Sequence, residues 1–301
     1  MDRTNHSAAQ DPAGQDDRPP VLVFLHIPKA GGTTLGHVIS RQYPREAYCE
    51  VTFDRLDTFD RFFALSEREL GQIRCIKGHF PFGIHTRVPA RPVYVTMLRD
   101  PVKRFISEYR FLKEFPRVRP DLPVPDEALA SFGAYLDHCI AAGALNWQVR
   151  QAGGFLPLGE LTVPLPPLPP DALEQAIANL DRHCVVTGVL PRFDESLVLM
   201  KRKLGWEKSI HYLRENVNKA PQPAGDISEA DRRRLFDHVE LDRKLYAYAE
   251  QRLERDLAAQ GPDFAEELAR FKRKNGRLIT FQRNYQRWVP GPLRRALRKL
   301  R

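Results

Sequence analysis

No apolar run in this chain approaches the twenty residues or so that a bilayer-crossing helix needs. Met1 to Pro20 is polar and lacks the apolar centre of a secretion signal, so a disordered leader and a cytoplasmic location are expected. Cysteine is scarce. Cys49, Cys75, Cys139 and Cys184 form no C-x-x-C pair and match no zinc spacing. They are expected to be reduced and mostly buried. Cys75 and His79 could be half of a metal site, but two further ligands are missing, so no metal is expected. Acidic residues vanish at the end: residues 271–301 carry eleven Lys/Arg and no Asp or Glu. Those eleven exceed the whole chain's net charge of +9, so residues 1–270 are slightly acidic and the basic character belongs to the tail. There is no internal repeat.

What remains is a globular composition, 42% hydrophobic and 28% charged over 301 residues, enough for one large α/β domain or two small ones. Val21 to Leu25 is a short all-apolar run of the kind that forms a fully buried strand. Further strands are predicted near Ile73 to Gly78, over Val93 to Leu98 and over Cys184 to Val189. Helices are predicted after Gly32, around Phe59 to Leu70, from Pro101 to Leu112 with Asp100 as N-cap, from Phe132 to Ala142, from Asp171 to Leu180, over Phe193 to Leu204 with a cap near Asp194, and as one long helix from Ser228 to Leu257. Residues 113–130, the proline-rich 156–170 and His211 to Ala220 read as loops. Alternating strands and helices imply a parallel sheet with helices on both faces, a three-layer single domain over 21–270 between the leader (1–20) and the basic tail (271–301).

The stretch around which the rest is arranged is Val21 to Leu35, VLVFLHIPKAGGTTL. Pro28 stops strand pairing, Gly31 and Gly32 supply a turn, and Thr33 or Thr34 can cap the helix that follows. A strand, a glycine turn and a helix N-terminus bring backbone N–H groups and the positive end of a helix dipole to one point, which suits phosphate-like anions. Lys29 lies inside the turn. A Gly-Gly pair alone would describe only a tight turn with an exposed lysine. The stretch is not a Walker A loop, which places its lysine after the second glycine.

The ordered set Pro28, Lys29, Gly31, Gly32, Thr33, Thr34 resembles the 5′-phosphosulfate loop of sulfotransferases that use 3′-phosphoadenosine-5′-phosphosulfate (PAPS). Its form, HIPKAGGTT, is similar to the group containing the heparan and dermatan uronyl 2-O-sulfotransferases and their bacterial relatives. Arg99 to Tyr109, R-D-P-x-x-R-x-x-S-x-Y, resembles the 3′-phosphate segment of the same enzymes. The resemblance implies a P-loop-like fold and PAPS as donor, with no metal required. Binding of PAPS would fall to Lys29, Gly31, Gly32, Thr33, Thr34, Arg99 and Ser107. Lys29 would meet charge building on the leaving oxygen, and Arg99 offers a planar fork to phosphate. Arg104 is set aside as an i, i+4 partner of Asp100.

His79, after the strand ending at Gly78, is the candidate base, since histidine accepts a hydroxyl proton near neutral pH. K-G-H-F, Lys77 to Phe80, resembles the stretch carrying the catalytic histidine of the uronyl enzymes. A structural histidine would look the same in sequence; His26, which the resemblance makes structural, is a rival and His85 a weaker one. Asn146, Gln148 and Arg150 resemble a stretch near acceptor or cofactor, or else form a polar helix face. Asn216 and Asn218 are placed over the adenosine by resemblance alone.

The reading is an enzyme that moves a sulfuryl group from PAPS to a hydroxyl, in line, with a histidine base. The acceptor is expected to be a glycan or glycolipid. The alternatives are a P-loop-like nucleotide kinase and a non-catalytic anion-binding protein at a membrane. The basic tail, which includes Phe271, Phe281, Tyr285 and Trp288, is expected to rest on an anionic inner-membrane surface in preference to nucleic acid.

Overall fold

Every side chain of Val21–Leu25 (β1) is buried, and because successive strand residues point to opposite faces, both faces of the sheet there must be covered. The computed structural model describes residues 18–53, 55–114, 124–159, 161–213 and 227–288. After β1 come Gly32–Gln42 (α1), Tyr48–Glu50 (β2), Asp57–Phe63 (α2), Glu67–Leu70 (α3), Cys75–Gly78 (β3), Pro92–Leu98 (β4) and Pro101–Glu114 (α4). Phe132–Ala141 (α5), Trp147–Gly153 (α6), Ala172–His183 (α7), Cys184–Val189 (β5) and Phe193–Leu204 (α8) follow. The chain then forms Glu229–His238 (α9), Glu240–Ala258 (α10) and Pro262–Trp288 (α11). All five strands are parallel, in the order β2-β3-β1-β4-β5. This is the expected single parallel-sheet α/β domain.

One core runs from the sheet into α1, α2, α6, α7, α8, α10 and the start of α11. A second cluster joins α4, α5 and α9 through Phe105, Tyr109, Phe132, Tyr135, Leu136 and Leu235.

Several expectations need correction. The cap of α1 is Gly31, in the left-handed region at φ 82°, with no side-chain cap, so Thr33 and Thr34 sit inside the first turn. The first residue of α8 is Phe193, and Asp194 lies inside its first turn, not at a cap. Arg104 pairs with Glu108 at 3.0 Å in a buried bridge; Asp100 instead caps α4 by accepting from the Lys103 N–H at 2.8 Å. The long helix from Ser228 breaks at Val239, whose side chain is buried. Residue 270 lies within α11. Phe271 and Asn275 are buried there because they continue the stripe of Phe264 and Leu268 that faces the body. None of the four cysteines, all among the described residues, forms a disulfide, and three of them are buried. Asn216 and Asn218 lie outside the described residues.

Candidate active site

Strands β3, β1 and β4 are neighbours in register, with Leu25 beside Gly78 and Thr96. The chain therefore leaves all three at the same edge of the sheet, and delivers His26, His79 and Arg99 there. The carboxyl edge of a parallel sheet is where such folds place their ligands. The Thr96 hydroxyl fastens the edge by donating to the Leu25 carbonyl at 2.8 Å.

The loop from His26 to Gly31 turns through two left-handed residues, Lys29 at φ 64° and Gly31 at φ 82°. A non-glycine residue at positive φ carries backbone strain that its surroundings must hold in place. Here the holder is Arg99, whose Nη1 donates to the Lys29 carbonyl at 2.8 Å. That bond joins the two candidate segments, which are 70 residues apart. The Lys29 ammonium lies 3.6 Å from the centre of the Phe111 ring, on α4. Beyond Gly31, the first turn of α1 offers backbone N–H groups that no helical carbonyl can take up. Thr33 is exposed and Thr34 half-buried in that turn, and Ser107 is half-buried on α4.

Gly32 is required by sterics. A Cβ on it would lie 1.8 Å from the His26 ring. That ring packs between Phe24 and His79, with centroids at 5.2 and 4.0 Å. Burial, together with the nearby His79, Lys77 and Lys29, holds the His26 imidazole well below its ordinary pKa, so His26 is neutral near pH 7.

His79 Nδ1 is 2.9 Å from the His26 carbonyl. A carbonyl can only accept, so Nδ1 carries the proton and a neutral ring keeps its lone pair on Nε2. That tautomer is the one a base needs at the edge of the crevice. His85 is placed elsewhere, with Nδ1 2.6 Å from the Tyr94 hydroxyl and its ring against Phe82 and His183. Burial and His183 lower its pKa to about 4. Its surroundings make it part of a packed aromatic cluster and remove it as a rival.

Asn146, Gln148 and Arg150 all hydrogen-bond within the protein. Gln148 is fully buried; its Oε1 accepts from the Arg99 N–H at 3.0 Å and its Nε2 donates to the Arg99 carbonyl at 2.9 Å. Arg150, also buried, donates to the Leu145 and Pro166 carbonyls, and so ties the proline-rich loop to α6. Asn146, left-handed at φ 53°, donates to the His238 carbonyl and accepts from the Asp242 N–H. All three therefore tie separate segments of the chain together.

Two residues of this network were not among the sequence candidates. Asp242, buried on α10, accepts from the Gln148 and Val149 N–H groups at 3.2 and 2.8 Å and so caps α6 from another helix. Gln151 donates to both the His26 and the Phe80 carbonyls and accepts from Trp147 Nε1. It locks the end of β1 to the segment carrying His79. The signal available in sequence was the run of amides and charges among apolar residues in NWQVRQA, which has no solvent-facing period.

Among the described residues no group of three His, Cys, Asp or Glu is placed to hold a metal ion. The arrangement can bind an anion at α1, a second anion near Arg99, and accept a proton at His79.

Comparison with known proteins bears on this geometry. A family model described as galactose-3-O-sulfotransferase matches residues 4–285. The galactosylceramide sulfotransferase of Bos taurus is 30% identical over 268 residues, covering 85% of this chain and 62% of its own length. The heparan-sulfate 6-O-sulfotransferase 1 of Cricetulus griseus is 26% identical over 290 residues, covering 83% of this chain and 70% of its own length. A crystal structure of mouse sulfotransferase SULT7A1 complexed with PAP matches with a TM-score of 0.44 and 13% identity, over 77% of this chain and 89% of that one. The loop resemblance pointed to the uronyl 2-O group; the relatives found are galactose-3-O and heparan 6-O enzymes.

Proposed function

The chain belongs to the galactose-3-O-sulfotransferase family, a family of PAPS-dependent O-sulfotransferases, and from that premise we propose that it transfers the sulfuryl group of PAPS to a sugar hydroxyl, with galactose-bearing glycolipids and sulfatable glycans as the acceptor classes to try first. The single observation carrying the donor site is the Arg99–Lys29 bond, which puts two anion-binding segments against each other at the edge of the sheet.

The N-terminal amides of α1 and the Thr33 and Thr34 hydroxyls hold the phosphosulfate end. Arg99 and Ser107 hold the 3′-phosphate. Lys29 leaves Phe111 to meet charge building on the bridging oxygen. His79 Nε2 takes the proton of the acceptor hydroxyl as its oxygen attacks sulfur in line; the bridging S–O bond breaks and the desulfated nucleotide (PAP) departs. The histidine base rests on the tautomer fixed by the His26 carbonyl.

Calorimetry with PAP and with ATP, without metal, tests the donor; a preference for ATP would favour a nucleotide kinase. Transfer of labelled sulfate from PAPS to galactosylceramide and to desulfated heparan tests the acceptor. His79→Ala is expected to lower transfer at least ~100-fold, the scale of a lost general base, with PAP affinity within about threefold of the parent protein. Full activity in that variant would move the base elsewhere.

A further inference from the structure

Helix α11 changes character along its length. Its first third carries Asp263, Glu266 and Glu267, and two of these are spent on α8: Arg202 pairs with Asp263 at 2.7 Å, while Arg202 and Lys201 pair with Glu267 at 2.6 and 2.9 Å. Phe264, Leu268, Phe271 and Asn275 face the body at i, i+4, i+7 and i+11, and the Asn275 carboxamide oxygen accepts from the Tyr212 N–H at 2.8 Å. Past Asn275 the helix continues for more than three turns, and none of residues 276–282 is buried. Leu278 is 37% exposed and Phe281 68% exposed.

That outer part is still amphipathic. In sequence, Leu278, Phe281, Tyr285 and Trp288 recur at i, i+3, i+7 and i+10, which places them on one side of a 3.6-residue helix. By the same sequence period positions 272, 283 and 287 fall opposite, Arg277 flanks the apolar side, and Lys274 lies on it one turn before Leu278. From residue 271 to 288 there are six cations and no acid. A second copy of this chain would bring the same six cations, and repulsion opposes pairing along this face. Nucleic acid or a sulfated glycan would satisfy the charges but gives an aliphatic Leu278 nothing to enter. A surface that is anionic and has an apolar layer beneath satisfies both.

We propose that the exposed side of residues 273–288 of α11 lies on an anionic phospholipid surface, with Leu278 and Phe281 in the acyl boundary and Arg273 and Arg277 at headgroup phosphates. The anchored first half of the helix fixes the body of the protein relative to that surface. The inference is independent of the sulfotransferase reading, since it uses no residue of the donor site.

Flotation of the full chain with phosphatidylcholine vesicles, with and without phosphatidylserine, tests it. The protein is expected to float only with the phosphatidylserine vesicles and to be released by high salt. Leu278→Glu with Phe281→Glu is expected to lower binding at least tenfold, and Arg273→Glu with Arg277→Glu to abolish it. All four side chains are exposed, so the melting temperature is expected to hold. If the glutamate pair lowers it, Leu278→Ala with Phe281→Ala reads the same loss without new charge. Wild-type flotation by the apolar variants overturns the proposal, as does equal flotation on neutral vesicles. A dimer that the apolar variants dissociate, without any effect on flotation, assigns the face to self-association and also overturns it. Calorimetry with PAP on the same variants should be unchanged, so a failed donor site and a failed membrane face give different results.

Discussion

At Gly32 one hydrogen atom decides the geometry of the candidate site. The His26 ring occupies the space where a Cβ would go, and the His26 carbonyl receives both His79 Nδ1 and Gln151 Nε2. Gly32→Ala cannot be absorbed by a flexible side-chain end, because the obstructing atoms belong to a ring packed on Phe24 and His79. Overpacking of this kind costs about 1–3 kcal/mol. The larger effect is on chemistry: displacing His26 moves the acceptor that fixes the His79 tautomer. Gly32→Ala is expected to fold with a lowered melting temperature and to lose sulfate transfer by at least an order of magnitude. A variant with wild-type transfer would show that His26 does not position His79. His79 at the end of its strand was legible in sequence, since a strand followed by a glycine and a polar residue marks the carboxyl edge. The role of His26 was not, because only the fold shows its carbonyl serving two partners.

At the scale of elements, legibility followed apolar run length. β5 and α8 match their predicted ranges because CVVTGV is a dense buried run and Phe193 to Leu204 has a clean helical stripe. β2 has three residues, none of them buried, and gave no run to find. α6 is buried at all seven positions, so it has no polar side and no period. The break between α9 and α10 is tertiary in origin: no proline or glycine marks it, and Asn146 takes up the His238 carbonyl there. In the first half of α11 the basic composition hid an apolar stripe. The element whose function depends most on another is α6, whose first turn is capped by Asp242 of α10. Removing that carboxylate leaves two buried N–H groups without their acceptor, at roughly 1–3 kcal/mol each. Asp242→Ala is expected to lower the melting temperature by several degrees. It should also weaken PAP binding, because α6 carries Gln148. Thermal melts and calorimetry on one preparation check both; unaltered PAP affinity in a destabilised variant would separate the cap from the donor site.

Across the whole molecule, these contacts form one connected path. Asp242 on α10 holds the start of α6; Gln148 on α6 holds the backbone of Arg99 at both its N–H and its carbonyl; Arg99 holds the Lys29 carbonyl in the strained loop. A ligand gripped by the loop and by Arg99 therefore acts on a network that reaches from α1 to α10. Binding that favours the folded state stabilises it by about 2.7 kcal/mol at a hundred times the dissociation constant. The physical content lies in where that stabilisation appears. PAP is expected to raise the melting temperature, and to slow hydrogen exchange at the Gln148 and Val149 amides as well as in the loop, because Gln148 joins the α6 cap to the Arg99 clamp. Gln148→Ala removes both bonds to Arg99 while leaving the Asp242 cap in place. In that variant PAP is expected to bind about tenfold more weakly and still to protect the loop, while its protection of the Val149 amide disappears. Should Val149 remain protected by PAP in Gln148→Ala, the α10 side of the molecule would be coupled to the donor site by another route, and the Arg99 clamp would be local.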